Sequence, residues 1–141
     1  MKTGPALRQL TAHRSIHDAG QSQARELTEM MIQLFKEERE EDCLKTAKVL
    51  IEHWEEKIIA HADAEDEGFY QELLEEGNIP KKNLYMLMRD HDLFRQIVKQ
   101  IKEKIAQQNK VTEENIYELY SLLVINDFHH KGEENTLFPN Q

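Results

Sequence analysis

Apolar positions in this chain recur at steps of three and four residues over four long stretches, divided by three short interruptions. That is the period of an amphipathic helix, and no stretch alternates with the period of two that marks a strand. In the first stretch, from Pro5 to about Lys36, the series Leu7, Leu10, Ala24, Leu27, Met31 and Leu34 draws one face. Carried across its gap, the same spacing lands on His13, His17 and Gly20, which predicts both histidines on the buried side. Pro5 suits a first helical turn, where its missing N–H costs little. The charged run Lys36 to Asp42 reads as a connection or a solvated helical turn, with the break placed near Glu40 to Asp42. From Cys43 to Glu76 a second helix is predicted to bury Ala47, Leu50, Ile51, Trp54, Ile58, His61, Glu65, Phe69 and Leu73. Gly77 is placed for a left-handed cap, and Pro80 cannot continue the helix.

The third helix, roughly Lys81 to Gln107, carries Leu84, Leu87, His91, Phe94, Val98, Ile101 and Ile105 on one face. After a turn at Gln108 to Lys110, Thr112 with Glu113 and Glu114 behind it marks a fourth start, although Asn115 leaves the usual Thr-to-Glu capping box incomplete. The fourth face runs Ile116, Leu119, Tyr120, Leu123, Asn126, His129 or His130, Glu133 and Leu137, and Pro139 closes it. Short connections make sequential helices antiparallel neighbours, so the expected architecture is all-α, a single domain over residues 1–141 folded as an up-down-up-down antiparallel four-helix bundle.

Composition narrows the partners. Eighteen basic against 27 acidic residues give a net charge of −9, which argues against a nucleic-acid or anionic membrane surface as partner. No apolar run approaches the roughly 20 residues of a membrane span, and the N-terminus lacks the apolar core of a secretory signal, so a cytoplasmic location is expected. Cys43 is the only cysteine. Any metal must therefore be held by imidazole and carboxylate.

Those groups are where the apolar faces are interrupted. Carboxylates are rarely buried unless paired or bound to metal, yet the pattern puts Glu65 and Glu133 on inner faces, each four residues after a histidine, His61 and His129, where one helical turn brings both toward a single ion. In an antiparallel bundle His13 lies early on its helix, His61 and Glu65 late, His91 early to middle, and His129 and Glu133 late, so all six meet at one level. Four imidazoles and two carboxylates suit two first-row metal ions with two His each and the Glu residues bridging, iron or manganese ahead of zinc. The Glu-x-x-His spacing of ferritin-like sites is missing.

The segments LTAHRSI at Leu10, His61 to Glu65, Asp90-His91-Asp92-Leu93, and His129 to Glu133 followed by Leu137-Phe138-Pro139 stand in the order of a known family. Over nearly its full length the chain resembles the hemerythrin-like, or HHE cation-binding, domain. The resemblance implies a non-haem di-iron centre that binds or reacts with dioxygen or related small oxidants, His13 and His61 on one iron, His91 and His129 on the other, Glu65 and Glu133 between them. Two departures matter. Oxygen carriers of this type have a second histidine four residues after the ligand on helix three, where this chain has Arg95, while His17 offers an imidazole at the corresponding place on helix one. His130 with Glu134 repeats the spacing of His129 with Glu133, and carriers use a carboxylate five residues on, which would be Glu134; the match to His61 and Glu65 favours Glu133. The expected function is a di-iron protein that binds dioxygen or senses oxygen, iron or oxidative and nitrosative stress. A di-iron enzyme handling peroxide or nitric oxide damage, and a metal-free helical interaction module, are the alternatives. Tyr70, Tyr117, Tyr120 and Trp54 are expected to pack, His53 to lie at the boundary.

Overall fold

Four helices make up almost all of residues 10–139, which the computed structural model describes. They are α1 (Leu10–Lys36), α2 (residues 40–76), α3 (Lys81–Gln108) and α4 (Glu113–Leu137), with no strand among the described residues. Pro5 and Leu7, assigned above to the first helix, lie outside them. Each connection turns on one left-handed residue, Glu38 (φ 58°), Gly77 (φ 71°) and Asn109 (φ 52°). Gly77 and Asn109 are the residue types that adopt this conformation at least cost.

The first break falls earlier than the sequence predicts. Glu40, Glu41 and Asp42 form the first turn of α2 rather than the connection, because acidic side chains there complement the positive end of the helix dipole. At the start of α4 the capping box closes after all. Asn115 N–H donates to the Thr112 hydroxyl at 3.2 Å, and the Asn115 side-chain oxygen accepts from Thr112 N–H at 3.0 Å. On α4, Leu122 is buried where Tyr120 was expected, and Tyr120 is exposed. The face expected for α3 is buried at all seven positions.

α2 is not a regular helix. Its α-helical parts, Glu40–His53, Ala60–Ala64 and Tyr70–Glu76, are joined by wider π turns at Trp54–Ile59 and Glu65–Phe69. The inward series His61, Glu65, Phe69 and Leu73 accounts for the second of these, since it takes three consecutive steps of four. In a helix of 3.6 residues per turn each such step advances about 40° too far, roughly 120° over three. A π turn holds more residues and takes up the excess.

α1 packs against α2 and α4, and α3 against α2 and α4. Between them lie two apolar cores. The larger includes Ala24, Met31, Leu50, Trp54, Phe94, Ile101 and Leu119, and the smaller Phe69, Tyr70, Leu73, Leu84 and Leu87. α2 runs from the larger core to the smaller, α3 from the smaller to the larger, and α4 from the larger toward Leu137 beside the smaller. His91, His129, Glu65 and Glu133 fall between the two cores in chain order, and His13 and His17 precede the first large-core residue of α1, Ala24. Cys43 is buried with its thiol 3.5 Å from the Met31 carbonyl, and burial raises its pKa, which leaves it inert. Among the described residues no helix is long and apolar enough to cross a membrane.

Candidate metal centre

Each helix delivers its polar residues to the gap between the cores. α1 brings His13 and His17 on successive turns with ring centroids 4.2 Å apart. α2 brings His61, half-buried, and Glu65 at the head of its second π turn, α3 brings His91, and α4 brings His129 and Glu133. Glu65 is 1% exposed and Glu133 not at all, so neither carboxylate has water to stabilise its charge.

Five imidazoles turn Nε2 toward the two carboxylates. On one side His13, His17 and His61 gather with Glu65; on the other His91 and His129 gather with Glu65 and Glu133, the donor atoms in each group lying within 4.8 Å of one another. Glu65 spans the two, with Oε2 at 2.9 Å from His13 and 3.6 Å from His61, and Oε1 at 3.5 Å from His91. Glu133 does the same in reverse, Oε1 at 3.3 Å from His13 and 3.2 Å from His17, and Oε2 at 3.7 Å from His129. Each carboxylate thus offers one oxygen to each group.

The outer nitrogens fix how the inner ones are used. His91 Nδ1 lies 2.8 Å from Asp66 and His129 Nδ1 2.8 Å from Asp90, and since a carboxylate only accepts, both Nδ1 atoms carry the proton. In the neutral rings both Nε2 atoms then present lone pairs, yet they face each other at 3.0 Å. A cation between them relieves that repulsion, and a carboxylate behind each imidazole is the usual way a metal ligand is oriented. Burial lowers the pKa of His129, partly offset by Asp90, and that of His17, with His130 adding to the effect. Both therefore stay neutral and able to donate lone pairs.

The carboxylates show the complementary strain. Burial and the charge of Glu65 hold Glu133 well above the usual carboxylate range. Burial would raise Glu65 too, but the hydrogen bond from His13 and the nearby His61 imidazole outweigh it and hold Glu65 well below. His61 Nε2 and Glu133 Oε1 are buried without a hydrogen-bond partner. An unpaired buried polar atom costs roughly 1–3 kcal/mol, and both atoms belong to the groups just described. Borderline nitrogen, hard oxygen and unsatisfied lone pairs fit a pair of divalent first-row metals.

The structure brings together all six residues singled out as ligands from the sequence, and His17 joins them. Of the second His/Glu pair, Glu134 turns away to Arg14 at 3.0 and 3.2 Å. His130 belongs to neither group; it stacks on His17 at 3.9 Å with 6° between the planes, and burial, then His129, lowers its pKa to about 3. His53 stays apart, its Nε2 donating to the Gly20 carbonyl at 2.9 Å.

Sequence reasoning missed the supporting residues. Tyr70, expected only to pack, stacks on His91 with ring centroids 5.6 Å apart, and its hydroxyl donates to Glu133. Arg95, in place of an expected imidazole, bonds Asp63 at 2.7 Å, Asp66 at 2.6 Å and Asp92 at 2.8 Å. Although burial disfavours its charge, Asp66 and Asp63 outweigh this and raise its pKa, so it is a fixed cation holding the carboxylate that orients His91. The one signal for Asp66 and Asp90 was adjacency, each next to a ligand in sequence.

A cavity of about 510 Å³, lined by residues of all four helices including His17, His61, Glu65, His91 and His129, reaches exposed Gln23 and Lys57. Set against protein-family models, curated proteins and solved structures, the chain matches none of them.

Proposed function

We propose that this chain is a non-haem di-iron protein of hemerythrin type that binds dioxygen or senses oxygen, iron or oxidative and nitrosative stress, its helices forming an up-down-up-down antiparallel bundle. The bundle is supported by the order in which successive helices traverse the two apolar cores, and the family by the four motifs read in sequence. The observation that carries the metal is the facing pair of His91 and His129, whose Nε2 lone pairs meet at 3.0 Å with both Nδ1 protons held by aspartates.

In this reading His13, His17 and His61 hold one ion, His91 and His129 the other, and Glu65 and Glu133 bridge. Two iron ions supply a redox-active Lewis-acidic pair at which a diatomic ligand can bind. The chain's own part is to orient and to exclude water. Asp66 and Asp90 keep Nε2 of His91 and His129 aimed inward, Arg95 holds Asp66 in place, and Tyr70 holds Glu133 by its hydroxyl. Iron stands ahead of manganese or zinc on donor chemistry.

An enzymatic reading, with peroxide or nitric oxide damage as the target, is favoured by Tyr70, a hydroxyl donor on one of the two central carboxylates. Anaerobic loading with ferrous iron, followed by metal analysis and absorption spectra in air, tests both. Two irons per chain with a new charge-transfer band is expected. Less than one metal per chain and an unchanged spectrum would sink the di-iron assignment. Reversible, stoichiometric uptake of dioxygen selects binding or sensing, and repeated turnover of peroxide selects the enzyme.

A further inference from the structure

The cavity is much larger than a diatomic gas requires. Its volume of about 510 Å³ falls within the range of roughly 300–1,000 Å³ typical of pockets for small organic ligands. Ile16, Ala19, Ile58, Ala62 and Phe94 make its walls apolar. Among the described residues its one acidic lining residue is Glu65, at the deep end among the imidazoles, and its one lysine or arginine is Lys57, exposed at the mouth.

A polar group on α4 that belongs to neither metal group also has no partner. Asn126 is 1% exposed and lines the cavity, and its Oδ1 accepts no hydrogen bond. The amide cannot be turned round to remedy this. The Leu123 carbonyl only accepts, so Gln21 must point Nε2 at it, at 3.0 Å, and Oε1 at Asn126, whose Nδ2 donates at 2.7 Å. Oδ1 is left as a buried acceptor, at a cost of roughly 1–3 kcal/mol until something donates to it.

We infer that the cavity binds a small hydroxy acid with an apolar body, its hydroxyl donating to Asn126 Oδ1 and its carboxylate facing Lys57. The apolar walls take up the body of the molecule, and the inner wall at His17 and His61 sets the depth it reaches. Binding stands apart from metal content; that the bound molecule is presented to a metal pair, as substrate or signal, rests on the function proposed above. Gly20 makes the site easy to block. It lies mid-helix in the lining, a Cβ there would meet Ile58 at an ordinary 3.5 Å, and its backbone is helical, so a leucine enters the cavity without backbone strain.

The probe is 4-hydroxyphenylacetate, titrated into the protein as purified by calorimetry and protein-observed NMR, with metal content measured on the same sample. Phenylacetate, which lacks the hydroxyl, and tyramine, which replaces the carboxylate by a cation, are the comparisons. Submillimolar binding of the probe is expected, with each comparison about tenfold weaker, as loss of one hydrogen bond or one charge-assisted contact implies. Asn126→Leu should abolish the preference for the hydroxyl, Lys57→Gln the preference for the carboxylate, and Gly20→Leu binding altogether while the helical circular dichroism stays unchanged. Lys57→Gln, at the surface, keeps the test intact should Asn126→Leu fail to fold. No binding of any probe at millimolar concentration, or binding indifferent to Gly20→Leu and Lys57→Gln, overturns the inference even if metal is bound. Probe binding to a protein that takes up less than one metal per chain on anaerobic iron loading overturns the di-iron reading and leaves this one standing.

Discussion

Replacing Glu133 by glutamine should change stability in opposite directions with and without metal. In the metal-free protein the Glu133 carboxyl is fully buried opposite Glu65, and burial and that charge hold its pKa well above the ordinary 4.5. Such a group keeps its proton in the fold to a higher pH than in the unfolded chain. Its cost is absent below about 4.5, grows as pH rises, and levels off only above its folded pKa. At pH 7 the difference of 2.5 pH units from 4.5, at ~1.4 kcal/mol each, sets it at no more than about 3 kcal/mol. Glutamine copies the protonated carboxyl and carries no such cost. Metal-free Glu133→Gln should therefore gain up to about 3 kcal/mol at pH 7, on the order of 10 °C in Tm for a chain of this size, and nothing near pH 4.5. With metal the sign reverses, because the variant loses a negative bridging oxygen, and the second metal should be lost or weakened. Urea unfolding at pH 4.5 and 7, on chelated and metal-loaded samples, measures both. Equal stability of metal-free wild type and variant at pH 7, or the same gain at both pH values, would refute the picture of two carboxylates confined without a counter-charge.

Other outcomes follow from the same geometry. His129→Ala should lose metal, whereas His130→Ala should retain two ions per chain, and metal analysis of the purified variants compares them. Arg95→Leu, which frees Asp66 from its cation, should weaken metal affinity about 10- to 100-fold, in line with other residues that orient metal ligands, read by competition with a chelator. Gly77→Ala should destabilise the fold by about 1 kcal/mol, because alanine is forced to φ 71°, visible in thermal melts without change in metal content.

Helix number, the fully buried face of α3 and the six histidines and glutamates were legible in the sequence because they depend on spacing alone. Where local chemistry competed with spacing, the reading slipped. The acidic triplet Glu40 to Asp42 looks like a surface loop until the helix dipole is counted, and Tyr120 occupies a period position that Leu122 wins by being apolar throughout. The second π turn was latent in the steps of four from His61 to Leu73, but the sequence does not say whether such a series widens the helix or drifts off its face.

The sequence by itself determined that carboxylates would be buried beside imidazoles at one level of a helical protein, since no other face was available to Glu65 and Glu133. Tertiary structure alone decided what those residues do to one another. Equal spacing left His130 with Glu134 open beside the preferred His129 with Glu133; packing separated them, because Arg14 on α1 draws Glu134 outward while Glu133 turns toward His13 and His17. It also placed His17 inside the cluster, made Arg95 a support, and set Tyr70 on Glu133. Each of these depends on where side chains from different helices end up in space, between residues 29 to 120 positions apart in the chain. A local pattern carries no information at that range.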